Sequence, residues 1–297
     1  MALSFSLAPV HTPVSTTPVS RNYWRLVWQR VCRDPVAVAS AVLILAIIAA
    51  AVFAPMLAPA DPYKGSMMRR LLHVGSVGHW LGTDELGRDM ISRLMYGGRL
   101  SLVMGVLPVL LAFGIGTFIG LFAGYIGGRF NTVVMRVLDV FYAFPSVLLA
   151  VAISGALGPG MSNTIIALTL IFIPQVVRVA ESVTTQVSHL DYIEAARMSG
   201  ASAFSIVRTH VLGNVLGPVF VYATGLISVS LILASGLSFL GLGVKPPEPE
   251  WGLMLNTLRA AIYNNPGVAA MPGIFIFVTS IAFNLLADSV RSAMDIH

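Results

Sequence analysis

The chain has 297 residues, of which 56% are hydrophobic and only 10% charged, and its mean hydropathy is +0.83. Soluble domains carry roughly 25% charged residues, so this composition excludes a single water-soluble core and points to a polytopic helical membrane protein. The net charge of +5 comes without a dense basic run, which argues against a nucleic-acid partner and fits arginines held on the cytoplasmic side of a membrane.

Residues 1–34 read as a cytoplasmic N-terminal tail, expected to be disordered up to about Ser20. Arg21, Arg25, Arg30 and Arg33 crowd its end, and the lone Cys32 offers no internal disulfide. Asp34-Pro35 then starts the first transmembrane segment, residues 35–58, with Asp as cap and Pro at the first helical position. Its apolar run, Val36–Leu57, is longer than the ~7–15 residues of a signal core, so it reads as an anchor.

Residues 59–99 form an external loop. Within it, Met90, Ile91, Leu94 and Met95 recur at helical spacing after Leu81-Gly-Thr-Asp84-Glu85-Leu-Gly-Arg88-Asp89, which predicts a short surface helix with a salt-bridged cap. Five more spans follow in a core of residues 100–288: Ser101–Tyr125, Val133–Ala156, Asn163–Val183, Val215–Leu240 and Ala269–Ala287. Each approaches the ~20 residues needed to cross ~30 Å of hydrocarbon. Six spans return the C-terminal tail, residues 289–297, to the cytoplasm with the N-terminus.

Reactive chemistry is sparse. The two lysines, Lys64 and Lys245, sit in no Gly-x-x-x-x-Gly-Lys-Ser/Thr loop, so ATP and its Mg would have to be held by another polypeptide. The histidines are scattered, with no His-Glu-x-x-His, and no Gly-x-Ser-x-Gly turn is present. The chain therefore reads as a non-enzyme with no metal and no cofactor of its own. Ionisable groups within spans are functional by default. Asp139 is the clearest, with Arg136 three residues earlier on the same helix face, and reads as an ion pair or a solute-path residue. Pro145, Gln175 and Ser238 complete the candidate path residues.

Between the fourth and fifth spans lies a polar loop, residues 188–213. Leu190 to Met198 predicts a short helix started by Ser188 or Asp191, Gly200 permits the turn, and Ser202 caps a second helix through Phe204, Ile206, Val207 and Val211. Ala195 and Ala196 allow close approach of a partner, while Glu194 and Arg197 offer charge for docking.

Glu194-Ala195-Ala196, Gly200 and Leu212 resemble the cytoplasmic coupling motif of integral-membrane subunits of ABC importers. Arg33-Asp-Pro, Leu81 to Asp89, Met135 to Pro145, Leu237-Ser-Phe-Leu-Gly-Leu-Gly243, Pro246-Pro and Glu250-Trp-Gly252 narrow the resemblance to the C-type permease of dipeptide, oligopeptide and nickel importers. Two positions depart from that pattern: Gly213 replaces a proline, and Ala234 stands where many relatives carry Glu. The resemblance implies an all-α, six-helix, type I importer permease fold in the inner membrane. It implies a B-type permease, two cytoplasmic ATPase subunits, an external solute-binding protein and membrane lipid as partners. The solute would be a peptide, a nickel complex, or a glutathione- or opine-like molecule. The competing reading, an ion-coupled secondary transporter, would need intramembrane carboxylates or His relays and internal repeats.

Overall fold

The computed structural model describes residues 23–294. It is built from helices, and five of them are long and apolar enough to cross a membrane, with a bent pair supplying a sixth span. The expectation of disorder before Ser20 lies outside the described residues. Within the expected N-terminal tail, Tyr23–Arg33 forms a helix, α1, that packs on the last helix of the chain.

α2 (Pro35–Val52) opens as predicted: Asp34 accepts a hydrogen bond from the Val36 N–H at 2.9 Å, and Pro35 occupies the first turn. The Asp34 carboxyl also takes a hydrogen bond from Ser289, and these two contacts hold it below its usual pKa. α3 (Ala54–Leu57) continues the span after a break at Phe53. Pro55 has no N–H to give the Ala51 carbonyl. Arg99 fills that gap, donating to Ala51 O at 2.6 Å and to Val52 O at 2.7 Å.

The predicted surface helix is not separate. α4 runs unbroken over Met90–Ile126, about 55 Å at ~1.5 Å per residue, so its first turns rise beyond the hydrocarbon. The capping prediction holds, with Asp89 accepting from Ser92 N at 2.9 Å. Gly97 and Gly98 do not interrupt the helix because they serve packing. A Cβ at Gly97 would lie 1.8 Å from Pro249 O, and one at Gly98 would press on Trp251 and Ala51. The charges before α4 knit into a buried network rather than a site. Arg88 Nε lies 2.6 Å and Arg93 Nε 3.1 Å from Asp84 Oδ2, and His79 Nδ1 lies 2.9 Å from Asp89 Oδ1.

α5 (Gly128–Tyr142) and α6 (Ser146–Leu157) form the third span, bent by 86°. Pro145 drives Phe144 out of helical conformation, and the chain turns there. α7 (Met161–Ser188) lies along α4 in the most extensive helix pairing of the molecule. Gly116, Gly120 and Gly124 of α4 face Val176, Ala180 and Thr184 of α7, and an added Cβ would come within 2.9 Å of each partner. This small-xxx-small stripe lets the two backbones touch where no hydrophobic effect drives helices together.

α8 (Asp191–Met198) and α9 (Ala203–Ile206) make the predicted helical hairpin. The second helix does not stop. It passes through a π-helical turn at Val207–Val211 into α10 (Leu212–Phe239), giving one apolar helix over Ala203–Phe239. Gly213 is helical within it, so its replacement of proline leaves the helix continuous.

α11 (Trp251–Leu258) and α12 (Pro266–Met294) complete the chain, and α12 takes up most of the expected C-terminal tail. The segments 58–89 and 240–265 close over one end of the bundle. Tyr63 Oη donates to Glu248 at 2.9 Å, Asn265 Nδ2 to the Leu71 and Leu72 carbonyls at 3.1 Å, and Trp251 Nε1 to Leu94 O at 2.9 Å. The hairpin α8–α9 stands at the opposite end. The main core lies among α4, α7 and α10, and a second cluster around Met90, Trp251, Met254 and Leu258 sits under the cap.

Candidate functional site: a coupling hairpin and a polar cluster

α8 starts without a side-chain cap; neither Ser188, which ends α7, nor Asp191 takes that place, and Leu190 occupies the cap position. Asp191 and Glu194 in its first turn and Arg197 in its last complement the helix dipole instead. The helix ends in a Schellman turn: Ala201 N donates to Ala196 O at 3.2 Å and Gly200 N to Arg197 O at 3.0 Å. Gly200 has φ +81°, and nothing lies within 4 Å of an added Cβ, so the glycine is required by conformation and not by space. Ser202 then caps α9 as predicted, accepting from Ser205 N at 3.3 Å.

Inner contacts fix how the hairpin stands. Ile193 is fully buried, and Ala196 packs beside it against the main core. The Arg197 guanidinium lies 5.3 Å over the Tyr125 ring, and Asn214 donates to Tyr192 Oη at 3.1 Å. The outer face is free. Glu194 and Ala195 are exposed, and the Glu194 carboxylate has no partner among the described residues. Met198 is 90% and Phe204 73% exposed on either side of the Gly200 turn. A carboxylate and small residues flanked by two large apolar side chains make an exposed surface of mixed character. The two apolar side chains were not legible as surface in the sequence, because Phe204 carries the spacing of a core position.

Of the path candidates, Asp139, Pro145 and Gln175 are brought to one region and Ser238 is not. Asp139 pairs with Arg178 of α7 at 2.8 Å, while Arg136, the predicted partner, stands off at 3.9 Å. The Arg178 guanidinium covers the Tyr142 ring at 4.4 Å. A small cavity beside the bend is lined by Tyr142, Phe144, Pro174 and Gln175, and Gln175 accepts from Tyr222 Oη at 3.4 Å. In the sequence Arg178 reads only as one of the arginines on the cytoplasmic side, although a lone arginine inside an apolar span is itself the signal. Pro145 shapes the bend and offers no polar group.

Ser238 is buried at the capped end, under Gly243 and beside Glu250. Glu250 is fully buried and caps α11, accepting from Gly252 N at 2.9 Å and Leu253 N at 2.8 Å, with Ser101 Oγ at 3.0 Å. Burial raises its carboxyl pKa despite these donors. A larger groove of about 730 Å³ between α10 and α12 is lined by apolar side chains and by Ser228, Ser235, Ser280 and Asn284, with no charged group. Among the described residues no cluster of His, Cys, Asp or Glu fits a metal ion.

Comparison with known proteins places this architecture. Residues 116–296 match the family described as the binding-protein-dependent transport system inner membrane component, and residues 22–73 match the N-terminal TM domain of oligopeptide transport permease C. The glutathione transport system permease protein GsiD of Pectobacterium atrosepticum is 42% identical over 95% of this chain and 94% of its own. The GsiD of Escherichia coli O6:K15:H31 is 41% identical over 93% and 91%. Among solved structures, a chain of the MetNI methionine ABC transporter in an inward-facing conformation has a TM-score of 0.56 at 20% identity, covering 69% of this chain and 97% of that one. That likeness is one of fold. The chain is thus a multi-pass inner-membrane component of a binding-protein-dependent transport system, a non-enzymatic C-type permease of the peptide-importer branch of the ABC importers.

Proposed function

We propose that this chain is one half of a two-permease pore that passes glutathione, or a peptide of similar size, into the cytoplasm. A related B-type permease supplies the other half. Two ATPase subunits hold ATP and Mg and grip the α8–α9 hairpin, and an external solute-binding protein delivers the solute. Both termini lie in the cytoplasm with the hairpin, as the arginines before α2, Arg197 on α8 and Arg208 in the turn after α9 favour. The relatives named for glutathione transport support the solute class.

The observation that carries this reading is the outer face of α8. Glu194 and Ala195 stand unpartnered beside exposed Met198 and Phe204, on a hairpin whose inner face is locked to α4 and α10. A push on that face is transmitted through Ile193 and Arg197 to the spans. An ion-coupled carrier would want a carboxylate free to titrate within the membrane, and Asp139 is already held by Arg178.

The test is uptake of radiolabelled glutathione by the assembled transporter, with co-purification of its partners. Wild-type chain is expected to bring down an ATPase and a second permease. Glu194→Lys reverses the charge offered to the ATPase, and Gly200→Val removes the only residue that adopts φ +81° without strain. Both variants are expected to insert normally and to lose ATP-dependent uptake. Normal uptake by both overturns the coupling role.

A further inference from the structure

Arg178 and Asp139 each lie about ten residues, roughly 15 Å at ~1.5 Å per residue, from the end of the bundle that carries α8. α7, at 28 residues, is longer than ~30 Å of hydrocarbon requires, so part of that distance lies outside it and the pair sits in the half of the membrane nearer the hairpin. Both side chains are nonetheless about half exposed. They point away from the core of the chain, and charges at such depth face a water-filled path or a partner and not lipid.

The pair is incompletely satisfied. Asp139 Oδ1 engages one terminal nitrogen of Arg178, Nη2, at 2.8 Å. The other nitrogens of the guanidinium have no hydrogen-bond partner among the described residues. Tyr142 supports the plane of the guanidinium from one side at 4.4 Å. Gln175 and Tyr222 add neutral polar groups next to it, and Tyr222 lies in the field of Arg291. A planar fork held flat, with an unused edge, is the geometry that takes a carboxylate through two parallel hydrogen bonds.

We propose that this cluster is a solute-contact station on the transport path, with Arg178 reading a free carboxylate of a passing peptide. The solute carboxylate displaces Asp139 from Nη2 and binds the fork. Asp139, released, accepts the ammonium group of the same solute. The station therefore takes zwitterionic peptides and amino-acid conjugates with an unblocked carboxylate. Two opposite charges that hold each other when the path is empty also spare the membrane an unpaired ion. The inference rests on the peptide-importer function proposed above.

The experiment uses the complete transporter in proteoliposomes, with its binding protein and radiolabelled glutathione as probe. Arg178→Lys keeps the charge and the ion pair but lacks the fork. It is expected to assemble and to lose about tenfold in uptake at limiting probe, the factor that ~1.4 kcal/mol of lost carboxylate contact gives. The charge-swapped double variant, Asp139→Arg with Arg178→Asp, restores the pair without restoring the fork on α7, and is expected to fall at least about tenfold below wild type in uptake. Wild-type uptake by Arg178→Lys, or recovery in the swapped variant, makes the pair a structural latch and overturns the station. A wild-type complex that takes up no glutathione removes the proposed function and the station with it.

Discussion

Glu250 and Arg178 show how differently two charges inside one membrane protein are handled. Glu250 is fully enclosed at the capped end and receives two backbone N–H groups and the Ser101 hydroxyl. Desolvation still wins, so its pKa rises from the ordinary 4.5. A raised folded-state pKa means that the folded protein holds the proton more tightly than the unfolded chain. Its contribution to stability is complete below pH 4.5 and is lost as pH rises through the folded-state pKa. Thermal unfolding of the detergent-solubilised protein against pH is expected to show that loss above 4.5, and Glu250→Gln is expected to flatten it. A Gln variant with the same pH slope would place the dependence elsewhere. The sequence marks Glu250 only as part of a Glu-Trp-Gly motif. Its enclosure arises because Ser101 and Ser238 approach it from two other helices.

Among the elements, α4 departs furthest from its sequence pattern. Its apolar spacing is legible, but the surface helix expected around Met90–Met95 and the span expected from Ser101 are one helix, and Gly97 and Gly98 do not separate them. They are instead contact points for Pro249 and Trp251. The stripe Gly116, Gly120 and Gly124 is periodic in the sequence, yet its partner is fixed only by the packing of α7. Gly120 is its tightest point: a Cβ there would lie 2.6 Å from both Ala180 Cβ and Val177 O. Gly120→Leu is expected to destabilise the helix pair by at least the ~1–3 kcal/mol typical of overpacking. It should also lower the amount of folded protein recovered from membranes, with Gly114→Leu, which faces open space, as the neutral control. Equal recovery of the two would show that α4 and α7 part without cost. The α8–α9 hairpin was more legible, because the Ser202 cap, the φ-positive glycine and the small residues are local signals, although the cap expected at Ser188 or Asp191 is not formed. The passage of α9 into α10 was not, since the π-helical turn at Val207–Val211 has no such signal.

Across the whole molecule, the third span is held from one side only. α5 and α6 pack on α4, α7 and α10, and their far face carries Val133, Val137, Val140, Phe144 and Leu148 exposed. The Asp139–Arg178 pair opens on the same region, so this is the side expected to meet a second permease. Val137→Cys, made with Cys32→Ser and labelled with a thiol-reactive photo-crosslinker, is expected to cross-link to that permease in native membranes on illumination, whereas Leu45→Cys on α2, labelled in the same way, is not. Cross-linking at Leu45 alone would put the pore on the other side of the bundle. Class, span count and the α8–α9 hairpin follow from the amino-acid order, because hydropathy, caps and glycine conformations act over a few residues. Asp139 with Arg178, Glu250 with Ser101, the glycine stripe with α7 and Arg99 with the Ala51 carbonyl left open by Pro55 join residues tens of positions apart. Only the packed bundle decides them, because a buried charge or an open carbonyl takes whatever partner the neighbouring helix brings.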